Sequence, residues 1–321
     1  MKKLANRCIF AFISLFIFSS QVSAADYLIP VGRVIGLELS AGTVTVAAFD
    51  DALPAAKNAG LHIGDEICAI DGCEIDSAED VRKALNHSDG TVELTVARDG
   101  KEQAFTLEPH ITADGPRLGV YLRQGITGIG TVTYYDPDTG TFGTLGHGVS
   151  EGKGTLLKMT RGSAYPATVV SVQKGKAGQP GQLKGALENH HLLGSLSGNT
   201  SQGVFGTASD GWEGESMEVA AYSDIHTGAA TIRSTVTNGE PQDYSVEILK
   251  IYPKSRSDGR NLLLKVTDPE LLEATGGIVQ GMSGSPIIQD GKLIGAVTHV
   301  LVNDPTTGYG IFIENMLDAA A

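Results

Sequence analysis

The residue best suited to chemistry in this sequence is Ser283, within the segment Gly281-Met-Ser-Gly-Ser-Pro286. Glycine adopts backbone angles that other residues avoid, so this turn can expose the serine hydroxyl and point backbone N–H groups outward. A nucleophile beside an oxyanion hole needs both features. We therefore predict Ser283 as a nucleophile and the N–H groups of Gly281 and Ser283 as its oxyanion hole. The alternative interpretation of the same residues is a tight glycine turn between two strands.

A candidate general base lies upstream, in the segment Gly143-Thr-Leu-Gly-His-Gly-Val149. His147 stands between glycines rather than on an apolar face, and the glycines leave room for a substrate. An ordinary histidine in a surface loop is the alternative. His299 is a rival base, although it follows an apolar strand that spans residues 293–297.

Asp268 is the candidate third member, in the segment Thr267-Asp-Pro-Glu270. It could hold the imidazole in the tautomer that accepts the serine proton. The same four residues are also typical of a helix start, with Asp268 or Thr267 as the cap and proline in the first turn. The chain thus supplies His147, Asp268 and Ser283 in the order of the chymotrypsin-type triad.

The composition indicates that strands, rather than long helices, must position these residues. The chain has 321 residues with 41 Gly and 12 Pro, which favours short strands joined by turns, and its length favours two domains. Ser283 precedes two buried strand patterns, and residues 296–299 of the second are expected to pair with substrate backbone. Further strands are predicted at residues 118–122, 130–135, 168–172, 217–222, 244–251 and 262–266.

The first 24 residues have the pattern of an export signal. Lys2, Lys3 and Arg7 precede an apolar run over residues 8–18, and small residues at 22–24 suit cleavage. An uncleaved membrane anchor is the alternative. Without these residues the formal charge changes from −13 to −16, because three basic residues and no acidic ones are removed. Such an acidic chain is a poor candidate for binding nucleic acid.

The cysteines and histidines predict neither a metal site nor a cofactor. Cys8 falls in the export signal, which leaves Cys68 and Cys73. A disulfide between them is possible in an oxidising compartment, but we favour free thiols because buried cysteines are common. The spacing of cysteines and histidines matches no metal-binding pattern.

The segment over residues 26–108 resembles a PDZ domain. The segment Pro54-Ala-Ala-Lys-Asn-Ala-Gly-Leu-His-Ile-Gly-Asp-Glu-Ile-Cys-Ala-Ile-Asp-Gly72 carries the resemblance, followed by a helix capped at Ser77 and a hairpin around Asp99-Gly100. PDZ domains bind an extended peptide, usually a chain terminus, as an added strand. The resemblance implies a carboxylate-binding loop at Ile35, Gly36 and Leu37, with Val81 and Leu85 as the opposite wall. An unliganded first strand at these residues is the alternative.

Nearly the whole chain resembles the stage IV sporulation protein B (SpoIVB) serine peptidases. The likeness rests on the histidine, aspartate and serine segments above and on Asn303-Asp-Pro-Thr-Thr-Gly-Tyr-Gly-Ile311. It implies that His147, Asp268 and Ser283 form the triad. It also implies a peptidase that is exported from the forespore to the intermembrane space. There it would process itself and cleave a membrane-bound regulator, which releases an intramembrane protease that activates a late sigma factor.

We therefore predict a mostly β protein: an export signal or anchor (1–24), a PDZ domain (26–108) and a chymotrypsin-like double β-barrel peptidase domain (109–321), with residues 109–115 as a linker. Its expected function is that of a regulatory serine endopeptidase acting on a protein or peptide substrate. The PDZ ligand would be a chain terminus, its own or a partner's. A quality-control protease of the HtrA kind and a non-catalytic PDZ scaffold are the competing hypotheses.

Overall fold

The protein is described by a computed structural model over residues 26–88, 90–151, 154–187, 191–237, 239–256 and 258–321. The predicted export signal lies outside these residues. The elements, in chain order, are β1 (Tyr27–Pro30), β2 (Val34–Phe49), α1 (Ala55–Asn58), β3 (Glu66–Ile70), β4 (Cys73–Glu74), α2 (Ala78–His87), β5 (Val92–Arg98), β6 (Lys101–Leu107), β7 (His110–Thr112), β8 (Gly115–Arg117), β9 (Val120–Asp136), β10 (Thr141–Thr144), β11 (Arg161–Gln173), β12 (Gln182–Leu187), β13 (Gly194–Thr200), β14 (Gly203–Ala208), β15 (Met217–Val219), a 3₁₀ turn (Tyr222–Asp224), β16 (Gly228–Ser234), β17 (Gln242–Ile251), β18 (Leu262–Val266), α3 (Pro269–Thr275), β19 (Pro286–Gln289), β20 (Lys292–Leu301), β21 (Asp304–Phe312) and α4 (Ile313–Ala320).

Two closed β-barrels form the larger part of the molecule. In the first barrel the strands pair in the ring β2–β9–β10–β14–β13–β11 and back to β2. In the second barrel they pair in the ring β16–β17–β18–β21–β20–β19 and back to β16. Each barrel encloses its own apolar cluster. The predicted double-barrel architecture is confirmed.

The PDZ domain emerges from the first barrel through two long strands. Residues 34–40 of β2 pair with 125–131 of β9 in the barrel, whereas residues 45–49 pair with 120–123 in the PDZ domain. The PDZ core is a separate apolar cluster that includes Val44, Ile67 and Leu94. The predicted linker over 109–115 contains β7 and the start of β8, which pair as a small hairpin. The two cores are therefore joined by continuous strands and not by that segment.

Local sequence signals place the smaller elements as predicted. The Ser77 hydroxyl accepts a hydrogen bond from the Asp80 N–H and caps α2. Asp99 and Gly100 have φ of 51° and 74° and form the turn between β5 and β6, as expected for a hairpin of this sequence. The strand predicted at 217–222 is shorter, because a 3₁₀ turn begins at Tyr222.

Two further findings concern the helices and the cysteines. Within the described ranges, no helix combines the length and apolar character required to cross a bilayer. Cys68 and Cys73 are free thiols, the first half-buried and the second exposed.

Candidate active site

Hydrogen bonds from a strand of the first barrel hold the Ser283 turn. The N–H of Thr131, in β9, donates to the Ser283 carbonyl at 2.9 Å, and the Thr131 hydroxyl donates to the Gly281 carbonyl at 2.8 Å. Gly281 and Gly284 have φ of +98° and +95°, which glycine adopts without strain. The turn that the sequence predicts is therefore present, and the two barrels meet at it.

Ser283 and the second serine of the segment have different environments. Ser285 is fully buried, and its hydroxyl donates to the Ser234 hydroxyl at 3.0 Å. Ser283 is only half-buried, and its hydroxyl donates to the Thr298 carbonyl at 2.9 Å. Thr298 lies at a bulge in β20, between Val297 and His299, where the register with β21 shifts. Bulges often redirect groups beside active sites, and this one turns the Thr298 carbonyl towards the Ser283 hydroxyl.

His147 is presented by a strained turn that Thr131 also holds. Leu145 and Gly146 both have left-handed backbones, with φ of 68° and 66°, and a non-glycine residue there is unusual. The Leu145 N–H donates to the Thr131 carbonyl at 3.3 Å. Thr131 thus contacts both the histidine turn and the serine turn. Sequence reasoning missed this residue, because a threonine inside a strand carries no motif.

The hydrogen bond that His147 makes sets its tautomer. Its Nδ1 lies 3.0 Å from the Gly148 carbonyl oxygen, which can only accept, so Nδ1 carries the proton. Nε2 then has the free lone pair that a general base needs. Burial lowers the pKa of His147, so the imidazole is neutral at neutral pH.

His299 lies against His147. The two ring centroids are 5.3 Å apart and the ring planes are inclined by 41°. Burial, and then the neighbouring His147, lower the pKa of His299 to about 4. Its Nδ1 is buried and has no hydrogen-bond partner in the described part of the chain. Thr298 therefore contacts the Ser283 hydroxyl, and the adjacent His299 contacts the imidazole of His147.

The low pKa of His299 predicts a loss of stability in acid. The unfolded chain, with an ordinary histidine pKa of 6.5, binds a proton more readily than the folded chain, whose pKa is about 4. The free energy of unfolding should therefore decrease as the pH falls from about 6.5 to about 4. Urea unfolding at several pH values checks this. His299→Gln should show a smaller decrease over this window, and an equal decrease would contradict the assignment.

Asp268 is not where the triad prediction requires it. It is the N-cap of α3: its carboxylate accepts from the N–H groups of Glu270 and Leu271, both at 3.0 Å, and from the Ser245 N–H at 3.2 Å. Within the described ranges, no carboxylate lies within 4.0 Å of a ring nitrogen of His147. The helix-start interpretation of this segment describes the structure, because the N–H groups at the start of α3 donate to Oδ1 of Asp268, and the Ser245 N–H, in β17, donates to Oδ2.

The N–H groups predicted as the oxyanion hole make no hydrogen bond to the described part of the chain. Neither the Gly281 N–H nor the Ser283 N–H donates a hydrogen bond to another described residue. The Gly284 N–H, by contrast, donates to the Val297 carbonyl at 2.8 Å. Two donors beside the Ser283 hydroxyl are thus free, within the described residues, to bind a developing negative charge.

The strand predicted to pair with substrate is available only at its end. Ala296 pairs with both Pro286 and Ile311, and the Val297 N–H donates to the Ser285 carbonyl. The pairing with β19 ends at Ala296, so the free edge of β20 begins at the bulge. The prediction of residues 296–299 is therefore wrong for Ala296 and Val297, which the barrel already uses on both sides.

The structure also corrects the PDZ carboxylate loop. Ile35, Gly36 and Leu37 are part of β2, where they pair with β9 on one side and with β11 on the other. Ile35 and Leu37 are buried in the first barrel. Both edges of this strand segment are taken, so it offers no binding groove.

A groove with the expected shape lies elsewhere in the PDZ domain. A cavity of about 440 Å³ runs between α2 and the start of β9, where Val81 and Leu85 face Leu118, Val120 and Leu122. The described β9 segment over 120–123 pairs only with β2, which leaves its edge towards α2 open. The N–H groups of Leu118 and Gly119 donate to no other described residue. The missed signal was a second apolar-glycine-apolar triplet, Leu118-Gly-Val120.

Comparison with known proteins assigns both parts of the chain. A sequence profile described as SpoIVB peptidase S55 matches residues 115–317, and a PDZ domain profile matches residues 33–108. A protein of Agrobacterium fabrum named as a zinc metalloprotease is 36% identical over 98 residues, which cover 30% of this chain and 25% of that protein. The chain thus spans about a quarter of the length of this curated relative.

Solved structures similar to the chain include a PDZ domain and a protease. The PDZ domain of the SdrC-like protein from Listeria monocytogenes is 28% identical, with a TM-score of 0.22, and covers 25% of this chain and 85% of its own. The inactive form of a serine-to-alanine mutant of Rv3671c from M. tuberculosis is 16% identical, with a TM-score of 0.34, and the match covers 61% of this chain and 82% of that chain. Because the peptidase profile matches more than half of the chain, the chain belongs to the SpoIVB peptidase S55 family, and it carries a PDZ domain.

Proposed function

We propose that the protein is a regulatory serine endopeptidase in which Ser283 is the nucleophile and His147 the general base. The observation that carries this proposal is that Thr131 holds the turns of both residues, while Thr298 and His299 contact both side chains. Rotation of the Ser283 hydroxyl away from the Thr298 carbonyl would free it to meet Nε2 of His147. That nitrogen would take the proton during attack on the peptide carbonyl and return it to the leaving amine.

The N–H groups of Gly281 and Ser283 would bind the tetrahedral oxyanion. Each donor of this kind contributes roughly 3 kcal/mol to the transition state in comparable enzymes. Both groups are free of other hydrogen bonds among the described residues, which supports this role. They are also backbone groups on a glycine turn, so their position depends on the turn and not on a side chain.

The regulatory character of the proposal rests on the state of the catalytic pair. The Ser283 hydroxyl is bound to a backbone carbonyl, and the described hydrogen bond of His147 is to Gly148. A serine and a histidine that are not hydrogen-bonded to each other suit an enzyme that becomes active only when a signal or a substrate arrives. The continuity of β9 is consistent with this, since its start forms the groove edge and Thr131 in its second half holds both catalytic turns.

A fluorophosphonate probe tests the assignment of the nucleophile, because it forms a stable bond only with an activated serine. The full chain should be labelled, and the labelled peptide should contain Ser283. Cleavage of casein, a broad unfolded substrate, then separates the alternatives: a regulatory enzyme should leave it largely intact, whereas a degradative one of the HtrA kind should digest it. A chain without labelling under any condition would favour the non-catalytic scaffold.

The PDZ groove is proposed to bind the carboxyl terminus of an extended peptide. The terminal carboxylate would lie on the N–H groups of Leu118 and Gly119, and apolar side chains would enter between α2 and β9. The ligand is a chain terminus of the protein itself or of a partner.

Amidation of the peptide's C-terminus should weaken its binding, because the N–H groups of Leu118 and Gly119 are proposed to bind a carboxylate. Peptides of mixed sequence that end in an apolar residue should bind at least about tenfold more tightly as free acids than as C-terminal amides. The reason is that a neutral amide accepts weaker hydrogen bonds than a charged carboxylate. Fluorescence anisotropy with the two labelled pools measures the difference. Equal binding of the two pools would place the ligand away from Leu118-Gly-Val120.

The family membership also motivates a proposal about biological context. We propose that the protein is exported, with residues 1–24 as signal or anchor, that it cleaves itself, and that its target in sporulation is a membrane-bound regulator whose cleavage leads to activation of an intramembrane protease and a late sigma factor. Self-cleavage is testable directly: wild-type enzyme mixed with a tagged Ser283→Ala chain should cut the tagged chain. A tagged chain that stays intact while the wild-type enzyme labels with the probe would remove self-cleavage from the proposal.

A further inference from the structure

A hairpin that is rich in lysine lies beside the Ser283 turn. Residues 167–187, the lysine hairpin, comprise the paired parts of β11 and β12 and the connection between them. Residues 152–187 of the sequence contain six basic residues and no acidic one, although the whole chain has a formal charge of −13. Three of the six, Lys174, Lys176 and Lys184, belong to the lysine hairpin. The hairpin is therefore a positively charged element of an acidic protein.

Backbone hydrogen bonds attach the lysine hairpin to the segment that precedes Ser283. The Leu183 N–H donates to the Gln280 carbonyl at 2.8 Å, and the Gln280 N–H donates to the Gly181 carbonyl at 2.9 Å. A Cβ added at Gly281 would lie 3.1 Å from the Leu183 Cβ. Because the Gly281 N–H is a proposed oxyanion donor, β12 starts directly beside the position at which a substrate carbonyl would be attacked.

The tip of the lysine hairpin is fixed to the second barrel and to its helix α3. The Gly175 N–H donates to the Thr275 carbonyl, at the end of α3, and the Gly178 N–H donates to the Val302 carbonyl, in the turn after β20. Both distances are 2.8 Å. The hairpin thus starts in the first barrel and is held by the second, so its backbone has a defined position relative to the Ser283 turn.

β12 has one face against the protein and one face in solvent, as the alternation of side chains along a strand requires. Leu183 is fully buried and Leu187 is half-buried. The side chains between and beside them are exposed: Gln182, Lys184 and Ala186. Lys184 therefore projects from the outer face of a strand whose inner face is packed.

The positive charge of the lysine hairpin is not neutralised within the described part of the chain. All three lysines are exposed, and no described carboxylate lies within 4.0 Å of their ammonium groups. The Asp304 carboxylate, at the start of β21, accepts from the hydroxyls of Thr306 and Thr307, both at 2.7 Å, so it is already engaged. The three ammonium groups are left to attract a negatively charged partner.

β12 also offers an open backbone edge. After the bridge between Gln182 and Gln280, residues 184–187 pair only with β11 among the described residues. An extended peptide can add to an edge of this kind. The Ser283 turn lies between this edge and β20, since Thr298 of β20 contacts the Ser283 hydroxyl from the other side. A peptide whose acyl side pairs with the free end of β20 would cross Ser283 and continue along β12.

We propose that the lysine hairpin binds the leaving-group side of the substrate and selects a segment rich in aspartate and glutamate. The inference rests on the proposed function of Ser283 and names the substrate class for it. Pairing with the β12 edge would hold this segment extended. Lys184, on that strand, would contact carboxylates of the substrate, and the two lysines of the tip would add to the positive field around them.

The test measures how well blocked peptides protect Ser283 from the fluorophosphonate probe. Three pools of peptides of about twelve residues share a randomised centre and carry an acetylated N-terminus and an amidated C-terminus. The amide keeps the peptides out of the proposed carboxylate site of the PDZ groove. The first pool has glutamates after the centre, the second has lysines at the same positions, and the third has glutamates before the centre.

At low salt, the pool with glutamates after the centre should protect wild type at a roughly three- to tenfold lower concentration than the lysine pool. The ratio should decrease as salt is added, because charge pairs at exposed positions are weak and screened. Reversal of the charge in the double variant Lys174→Glu and Lys184→Glu should invert the ranking, a result that misfolding cannot produce. The matched control is the double variant Lys101→Glu and Lys250→Glu, two exposed lysines of β6 and β17, which should keep the wild-type ranking.

Failure of the inference and failure of the proposed function give different results. If wild type is not labelled at Ser283, the proposed function fails, and fluorescence anisotropy of the same pools with the Ser283→Ala chain still tests the charge preference. Equal protection by the glutamate and lysine pools would overturn the inference and leave the lysines as guards of an open strand edge. Better protection by the pool with glutamates before the centre would overturn it as well. Equal protection combined with binding to phosphatidylglycerol vesicles, lost in the hairpin double variant, would assign the lysines to a membrane surface instead.

Discussion

Ser283→Ala is expected to lower peptidase activity by on the order of 10⁴-fold or more and to abolish covalent labelling, because no other group of the site can take the place of the attacking oxygen. The hydroxyl makes a single described bond, to the Thr298 carbonyl, so its removal should leave the fold nearly unchanged. Probe labelling measures the first effect, and circular dichroism with thermal unfolding measures the second.

Ser285→Ala is the matched control, since it removes the same atom two residues away. That hydroxyl is buried against the Ser234 hydroxyl, so the variant should lose about 1 kcal/mol of stability and keep its labelling. If Ser285→Ala lost labelling while Ser283→Ala kept it, the nucleophile would be misassigned. Loss of labelling in both folded variants would point to damage of the turn as a whole.

Gly284→Ala is expected to lower the free energy of unfolding by at least about 3 kcal/mol, because two penalties act together. Its φ is +95°, and an added Cβ would lie 1.9 Å from the Thr131 carbonyl oxygen and 2.6 Å from the Leu145 N. The methyl group would therefore separate the serine turn from the strand that also holds the histidine turn. Urea unfolding measures the stability, and labelling should fall even in the chain that remains folded.

Gly291→Ala is the control for the backbone effect alone. Its φ is +74°, but a Cβ there meets nothing within 4 Å, since it lies in the exposed turn between β19 and β20. We expect a cost of about 1–2 kcal/mol, from the left-handed backbone only, and unchanged labelling. Equal destabilisation by the two variants would show that the contact of Gly284 with Thr131 adds nothing.

The predictions of caps, turns and hairpins are correct because these features have local causes. The Ser77 cap, the Asp99-Gly100 hairpin and the glycine turn around Ser283 each depend on a few consecutive residues, whose hydrogen bonds and φ angles do not require the rest of the fold. The mostly β character followed in the same way from many short strand patterns separated by turns.

The errors about the functional sites concern which distant segments meet. Leu37 and Leu118 each stand in an apolar-glycine-apolar triplet, and local sequence could not tell which strand edge the barrel would occupy. Asp268 was compatible with a cap and with a triad, and the choice depended on whether α3 starts near His147. The position of His299 beside His147 depends on a bulge at Thr298, which no sequence pattern marks.

By itself, then, the sequence determined the glycine turn around Ser283, the local caps and hairpins, the PDZ resemblance and the family of the peptidase part, because these depend on residue types at fixed short spacing. Only the tertiary structure decided that Thr131 joins the turns of His147 and Ser283, that Asp268 is bound by the start of α3 and that an open groove lies between α2 and β9. The physical reason is that strand pairing brings together residues far apart in the chain, and each pairing occupies backbone groups that a local pattern leaves open.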